Sequence, residues 1–183
     1  MTTTTNTLYS FVAQGTASDL TQARFDRARN SKLVLSGNRV IKRAGAGQTE
    51  RELQMLTTAR AAGLNVPHAT QVDEHTLSLQ FLPHGETLWD YIQHGKLTKS
   101  LLATVKAEVL KMWKLGIVHG DLHCNNIMIS NGQVFIIDMA SSWDATVLAE
   151  TFGEDDYAND VREGIKADRE ALLRSMQECK DLA

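Results

Sequence analysis

The chain has 183 residues but only two cysteines, Cys124 and Cys179, which lie far apart and form no CxxC spacing. A disulfide framework or a cysteine-based zinc site needs more thiols at closer spacing, so the sequence fits a reducing compartment. No apolar run approaches the roughly 18 residues that a membrane-spanning helix requires. The start, MTTTTNTLYSF, lacks a basic stretch followed by an apolar one and so shows no secretory signal. We expect a cytoplasmic protein, or one delivered to a host cytosol if a pathogen encodes it.

The excess of one charge sign over the other is also small, because the chain has 19 basic and 22 acidic residues and a net charge of −3. Asp26 interrupts the cluster of Arg24, Arg27 and Arg29, and no long basic run occurs. The charge pattern therefore gives no indication of wide nucleic-acid binding. Apolar residues make up 43% and charged residues 22%, which is typical of a globular protein with a hydrophobic core.

The residue pattern in the first half of the chain predicts short strands and one helix. Turn residues Ser36-Gly37-Asn38 separate two of the strands, as in a hairpin. The helix pattern opens at Thr49, has Glu52 at the spacing of a capping box, and closes at Gly63. The predicted strands are 8–13, 32–35, 39–42, 71–73 and 76–81.

Beyond Pro83 the pattern becomes mostly helical, so we expect a boundary there. Residues 1–82 would form a strand-rich lobe and residues 83–183 a mainly helical one. Two short apolar strands surround Asn131-Gly132, a pair typical of a tight type I′ turn. The predicted strands of this half are 127–129 and 134–137, and the predicted helices are 87–93, 98–115 and 160–180.

The stretch IVHGDLHCNNIMISNGQVFIIDMA at residues 117–140 carries the residues best suited to chemistry. Phosphoryl transfer needs a carboxylate beside the attacking hydroxyl and oxygen ligands that hold Mg²⁺ against the phosphates. Asp121 suits the first role, and Asn126 and Asp138 suit the second. Because a tight hairpin brings its two ends side by side, both metal ligands would face one ion.

HGDLHCNN followed by IIDMA resembles the catalytic loop and metal-binding turn of protein-kinase-like phosphotransferases. Gly120 and Met139-Ala140 stand where typical protein kinases have Arg and Phe-Gly. HGDLH is also similar to aminoglycoside and choline kinases. The segments FVAQGTAS, TERELQMLTTARAAGLNVP, LSLQFLPHGETLWDYI and DDYANDV resemble the family of the small atypical kinase of the KEOPS tRNA-modification complex.

This resemblance implies an α+β, two-lobe protein-kinase-like fold. A small antiparallel sheet with one helix would form the first lobe, and a truncated, mainly helical lobe would follow. The implied cofactors are ATP and Mg²⁺. Lys42, in VIKR, would hold the nucleotide phosphates, and Glu52 would pair with it from the helix. Glu50 competes for that role from a different helix face, and Glu52 also remains a candidate capping residue.

Other roles implied by the resemblance are less specific. Gly15 would belong to the phosphate loop, although an ordinary turn glycine explains it equally well. Backbone groups near Gln80 and Leu82 would hold adenine. Asp160 would support the catalytic loop, or would simply cap the helix that follows. His123 is either a substrate-side contact or an exposed loop histidine.

The expected function is that of an ATP- and Mg²⁺-dependent phosphotransferase, an atypical protein serine/threonine kinase or an ATPase, with Asp121, Lys42 and Glu52 as catalytic residues. The alternatives are a small-molecule kinase and a pseudokinase that only binds. The expected partners are ATP, a hydroxyl-bearing substrate that is a protein, and an activating protein that covers apolar surface left by the truncated lobe. We expect no membrane partner and no direct nucleic-acid binding.

Overall fold

Five short strands form the first sheet in the computed structural model, which describes residues 13–14, 32–153 and 156–183. The strands lie in the order β1-β2-β3-β5-β4, with β1 parallel to β2 and the other neighbours antiparallel. The predicted hairpin at Ser36-Gly37-Asn38 is confirmed, and only the end of the predicted strand 8–13 lies within the described residues. The strands are β1 (Ala13–Gln14), β2 (Lys32–Ser36), β3 (Arg39–Arg43), β4 (Ala69–Asp73) and β5 (Thr76–Gln80).

Helix α1 (Ala46–Ala61) begins earlier than the sequence predicts. Its N-cap is Gly45 in an extended conformation, and the Thr49 hydroxyl donates to the Gly45 carbonyl at 3.2 Å instead of capping the helix. The prediction of a capping box between Thr49 and Glu52 is therefore wrong. Since Glu52 has no role in the cap, its side chain is available to groups outside the helix.

The described residues of the second half form four α-helices and a small second sheet of three strands in the order β6-β7-β8. Thr87 and Asp90 form a reciprocal capping box, and Thr98 caps the next helix. Helix α4 was not predicted, although the Asp144 side chain accepts from the Val147 N–H at its start. The elements are β6 (Glu86–Thr87), α2 (Leu88–Gln93), α3 (Lys99–Lys114), β7 (Ile127–Ser130), β8 (Gln133–Ile136), α4 (Ala145–Phe152) and α5 (Ala158–Asp181).

One hydrophobic core extends from α1 into the second half of the chain. It joins buried side chains of α1, such as Met55, to those of α3, the β7–β8 hairpin and α5. The loop after α1 is tied to the same elements, because the Asn65 N–H donates to Glu108 at 2.6 Å and the Ile136 N–H donates to the Asn65 carbonyl at 2.9 Å. Helix α1 is therefore held in a fixed position relative to the end of β8.

The α+β fold class is confirmed, with a sheet and one helix followed by a mainly helical part. The division between residues 82 and 83 stays a prediction. Among the described helices, none combines the length and apolar character that crossing a bilayer requires.

The burial of side chains on helix α3 predicts which alanine substitutions there destabilise the protein. Met112 is fully buried, whereas Leu110 on the same helix is 49% exposed. Met112→Ala should lower the free energy of unfolding by about 2–5 kcal/mol, since it leaves a cavity. Leu110→Ala should change it by less than about 1 kcal/mol. Urea unfolding of both variants measures the difference, and equal losses would contradict this description of the core.

Candidate active site

The Lys42 ammonium lies between two carboxylates. Its Nζ is 2.8 Å from both carboxylate oxygens of Glu52 and 2.7 Å from Oδ1 of Asp138. Lys42 comes from the central strand β3, Glu52 from α1, and Asp138 from the segment after β8. Lys42 and Glu52 are almost fully buried, while the Asp138 side chain is 45% exposed. Glu52, and not Glu50, is thus the residue that the structure places on Lys42.

The ionisation of this cluster follows from burial and charge. Burial alone would lower the pKa of Lys42, but the charges of Glu52 and Asp138 reverse this and hold it above its usual range. Burial alone would raise the pKa of Asp138, yet the Lys42 ammonium holds it below its usual range. Burial raises the pKa of Glu52, and Lys42 offsets only part of that rise. Lys42 therefore stays charged beside an ionised Asp138 at neutral pH.

Asp121 lies in the loop before β7, where neighbouring side chains fix the backbone. The Asn126 amide donates to the Asp121 carbonyl at 2.8 Å and lies 3.5 Å from its Oδ2. The His119 ring contacts the Ile137 carbonyl through Nε2 at 3.0 Å and accepts from the Asp121 N–H at Nδ1. Burial lowers the pKa of His119, so the ring is neutral and acts as a structural link. The Asp121 side chain itself is 61% exposed and open to a ligand.

Asn126 and Asp138 lie at the two ends of the β7–β8 hairpin. Ile127 pairs with Ile136, and the Ile137 N–H donates to the Asn126 carbonyl at 3.0 Å, so the ends of the ribbon meet. Asp138 adopts a left-handed conformation with φ of +59°, which is uncommon for a non-glycine residue and marks a constrained turn.

An amide oxygen and a carboxylate are ligands that suit Mg²⁺. Since Nδ2 of Asn126 is committed to Asp121, its Oδ1 remains available to a cation. Among the described residues, no group of three or more His, Cys, Asp or Glu side chains surrounds a common point. A cation held here would therefore need further ligands from water or from a bound phosphate.

The expected adenine-binding residues follow β5. The Gln80 N–H already donates to the His68 carbonyl at 2.7 Å, and the Leu82 carbonyl accepts from the Gly85 N–H at 3.1 Å. Leu82 is buried with a relative exposure of 2%. Gly15, the expected phosphate-loop glycine, lies outside the described residues.

Asp168, and not Asp160, supports the loop at residues 119–126 that carries Asp121, which is the predicted catalytic loop. Its two carboxylate oxygens accept from the His119 N–H at 2.7 Å and the Gly120 N–H at 3.0 Å. Burial raises the pKa of Asp168, and these two N–H groups counteract part of that rise. Asp160 is exposed in the first turn of α5, whose N-cap is Tyr157, so both predicted roles of Asp160 are wrong.

Gly120 has a steric reason to be glycine. Its φ is +77°, and a Cβ there would lie 2.4 Å from the Ser141 carbonyl oxygen. The Ser142 hydroxyl on the same segment donates to the His119 carbonyl at 3.1 Å. The catalytic loop and the segment after Asp138 therefore pack too closely for any side chain at this position, including the Arg of typical protein kinases.

Substitution of Asp168 tests whether its carboxylate supports the loop. Asp168→Asn should lower the free energy of unfolding by about 1–3 kcal/mol, because an amide nitrogen would face a backbone N–H and leave it unsatisfied. Asp160→Asn, on the exposed start of the same helix, should change it by less than about 0.5 kcal/mol. Urea unfolding compares the two variants, and an Asp168→Asn protein as stable as the control would rule out the assigned contact.

Gly120 and Gly132 share a φ of +77°. Comparing an alanine substitution at each position therefore distinguishes the cost of backbone strain from the cost of a steric clash. Alanine at either position costs about 1–2 kcal/mol of left-handed strain. A Cβ on Gly132 would meet nothing within 4 Å, whereas a Cβ on Gly120 would meet Ser141. Gly120→Ala should therefore be more destabilising than Gly132→Ala by about 1–3 kcal/mol in thermal or urea unfolding. Equal costs would disprove the close approach.

Comparisons with known proteins identify the family of this chain. The family model described as the RIO domain matches residues 18–159, which is most of the chain. The KEOPS complex subunit Bud32 of Pyrococcus abyssi is 30% identical over 107 residues, covering 56% of this chain and 49% of that protein. A probable serine/threonine-protein kinase BUD32 homolog of Archaeoglobus fulgidus is 28% identical over 91 residues, covering 50% and 44%. The chain thus spans about half the length of these curated relatives.

A solved structure shows the same fold. The Rio2 kinase of Chaetomium thermophilum, in an ADP/Mg²⁺-phosphoaspartate complex, aligns with a TM-score of 0.57 and 14% sequence identity. The alignment covers 91% of this chain and 64% of that one, and it confirms the two-lobe, kinase-like fold. With the family match over most of its length, the chain belongs to the RIO family and is a minimal atypical protein-kinase-like protein.

Proposed function

We propose that the chain is an ATP- and Mg²⁺-dependent phosphotransferase that acts as an atypical protein serine/threonine kinase or as an ATPase. The observation that carries this proposal is the Lys42 ammonium held between Glu52 and Asp138, next to the loop that bears Asp121 and Asn126. The Rio2 kinase structure is that of a complex with ADP and Mg²⁺, which supports the same kind of nucleotide and the same metal for this chain.

Each residue of the cluster has a distinct task. Lys42 would bind the nucleotide phosphates, and Glu52 would keep its ammonium oriented. Asn126 and Asp138 would hold Mg²⁺, which when bound neutralises negative charge on the phosphates. Asp121, whose side chain is 61% exposed, would orient the acceptor hydroxyl or water and take its proton. This division of roles needs no covalent intermediate on the protein.

The nucleotide base would lie against the segment after β5. Because the Gln80 N–H is already bonded to His68, a contact at this residue would use its carbonyl oxygen. At Leu82, whose side chain is buried and whose carbonyl accepts from the Gly85 N–H, the contact would use the backbone N–H.

The alternatives receive less support. HGDLH favours a small-molecule kinase, but the family match and the relatives named above are of RIO and Bud32 type. A pseudokinase would be expected to lose charged groups, whereas the structure places Lys42, Glu52 and Asp138 in direct contact. The Pyrococcus abyssi relative is named as a subunit of a complex, and we propose a protein partner for this chain on that basis.

Asp121→Asn tests the proposed catalytic role. Turnover of ATP should fall by about 10²–10⁴-fold, because the amide cannot accept a proton, while nucleotide affinity should change little. Radiolabelled ATP hydrolysis and calorimetric binding measure the two quantities. Asp160→Asn serves as the matched control and should keep full turnover. Unchanged turnover in Asp121→Asn would reject the assignment.

The fate of the label separates the two activities. A protein kinase would leave ³²P on added protein as a Ser or Thr phosphate ester that survives hydroxylamine. An ATPase would release it as inorganic phosphate and would leave no label on protein. Label found only on an aminoglycoside or other small alcohol would instead favour the small-molecule kinase.

A further inference from the structure

Trp113 carries a buried N–H group that has no part in the roles proposed above. It lies in the last turn of α3, and its ring packs against the hydrophobic core. Its Nε1 is shielded from solvent, and among the described residues no acceptor meets it at hydrogen-bond geometry. Buried donors without an acceptor are rare, because removing them from water costs free energy. This nitrogen is therefore a candidate for a functional contact.

The polar group that faces this nitrogen is the carboxylate of Asp168 on α5. That residue is 3% exposed, and its oxygens already accept from the His119 and Gly120 N–H groups. An ionised carboxylate offers about four acceptor positions, so some remain for a third donor. The indole N–H counteracts part of the rise in the pKa of Asp168 that burial causes. Trp113 thus presents a donor to a carboxylate with spare acceptor positions.

The ionisable neighbours of Asp168 do not replace this donor. His119 faces the carboxylate from the loop, but burial lowers the pKa of its ring, which is therefore neutral. Arg169 and Glu170, the next residues on α5, are exposed. The Asp168 carboxylate is therefore stabilised by N–H groups rather than by a neighbouring cation.

We propose that Trp113 is a positioning residue whose indole N–H holds the Asp168 carboxylate against the loop that carries Asp121. With this donor in place, Asp168 stays ionised and accepts from both loop N–H groups. A protonated Asp168 would turn one of its acceptor oxygens into a hydroxyl donor and loosen the loop. Trp113 acts through Asp168 and touches no reacting atom. The inference rests on the proposed function only where turnover is the quantity measured.

Three substitutions separate the donor from the packing of the ring. Trp113→Phe removes the N–H and keeps most of the aromatic surface. Trp89→Phe, on α2, is the matched control, because Trp89 is also partly buried against the core and undergoes the same exchange. Asp168→Asn removes the ionisable partner, so adding Trp113→Phe to it measures the coupling between the two side chains.

Amide hydrogen exchange, followed by NMR without nucleotide, measures the two loop hydrogen bonds directly. In Trp113→Phe the protection of the His119 and Gly120 N–H groups should fall about 3–10-fold relative to that of the β7 amides. The loss should grow as the pH falls, because Asp168 then takes up its proton at a higher pH. In the unsubstituted chain the Trp113 indole N–H resonance should shift as Asp168 is protonated, and Asp168→Asn should abolish that shift.

Turnover of ATP should show the same pH dependence. In Trp113→Phe it should stay within about 3-fold of the unsubstituted chain at pH 8 and be about 3–10-fold lower at the acid end of the profile. Trp89→Phe should leave the ratio of acid to alkaline turnover unchanged.

The inference is overturned if Trp113→Phe lowers protection equally in the loop and in β7, or if Trp89→Phe has the same effect on the loop. It is also overturned if the effect of Trp113→Phe is independent of pH or persists in the Asp168→Asn background. An indole resonance that does not respond to pH would contradict it without any substitution at Trp113. If the unsubstituted chain turns over no ATP, the proposed function fails, while amide exchange still decides the role of Trp113.

Discussion

The placement of one ammonium group between two carboxylates is the constraint on which the site depends. Lys42 connects strand β3, helix α1 and the end of the β7–β8 hairpin through Glu52 and Asp138. Removing one partner of a buried ion pair leaves an uncompensated charge, which costs about 3–5 kcal/mol. The continuous core from α1 to the hairpin and the bonds of Asn65 keep the two carboxylates at their distances from Lys42. The apolar packing thus determines the electrostatics.

The catalytic loop is held mainly through its backbone, by side chains distant in sequence. Asp168 and Ser175 on α5 accept from loop N–H groups, and Ser142 donates to the His119 carbonyl. Helix α5 is therefore a support for the loop as well as part of the core.

Much of the site could be predicted from sequence because its spacing is local. Asp121, Asn126 and Asp138 surround a hairpin whose turn is visible as Asn131-Gly132, and the structure brings the ends of that hairpin together. Asp168 was missed because Asp160 and Asp168 share one helix, and tertiary packing decides which of them faces the loop. Its place four residues before the buried Leu172 was the available signal. The start of α1 was missed because two glycines, which disfavour helix, lie where it begins.

The proposed Mg²⁺ site at Asn126 and Asp138 requires that a bound nucleotide draw Lys42 away from its direct contact with Asp138. The most direct test is Mn²⁺ binding, followed by electron paramagnetic resonance, in the presence of a non-hydrolysable ATP analogue. We predict one tightly held Mn²⁺ per chain with the analogue, and its loss in Asp138→Ala at analogue concentrations that saturate the protein. Undiminished Mn²⁺ binding in Asp138→Ala would contradict the assignment of this site.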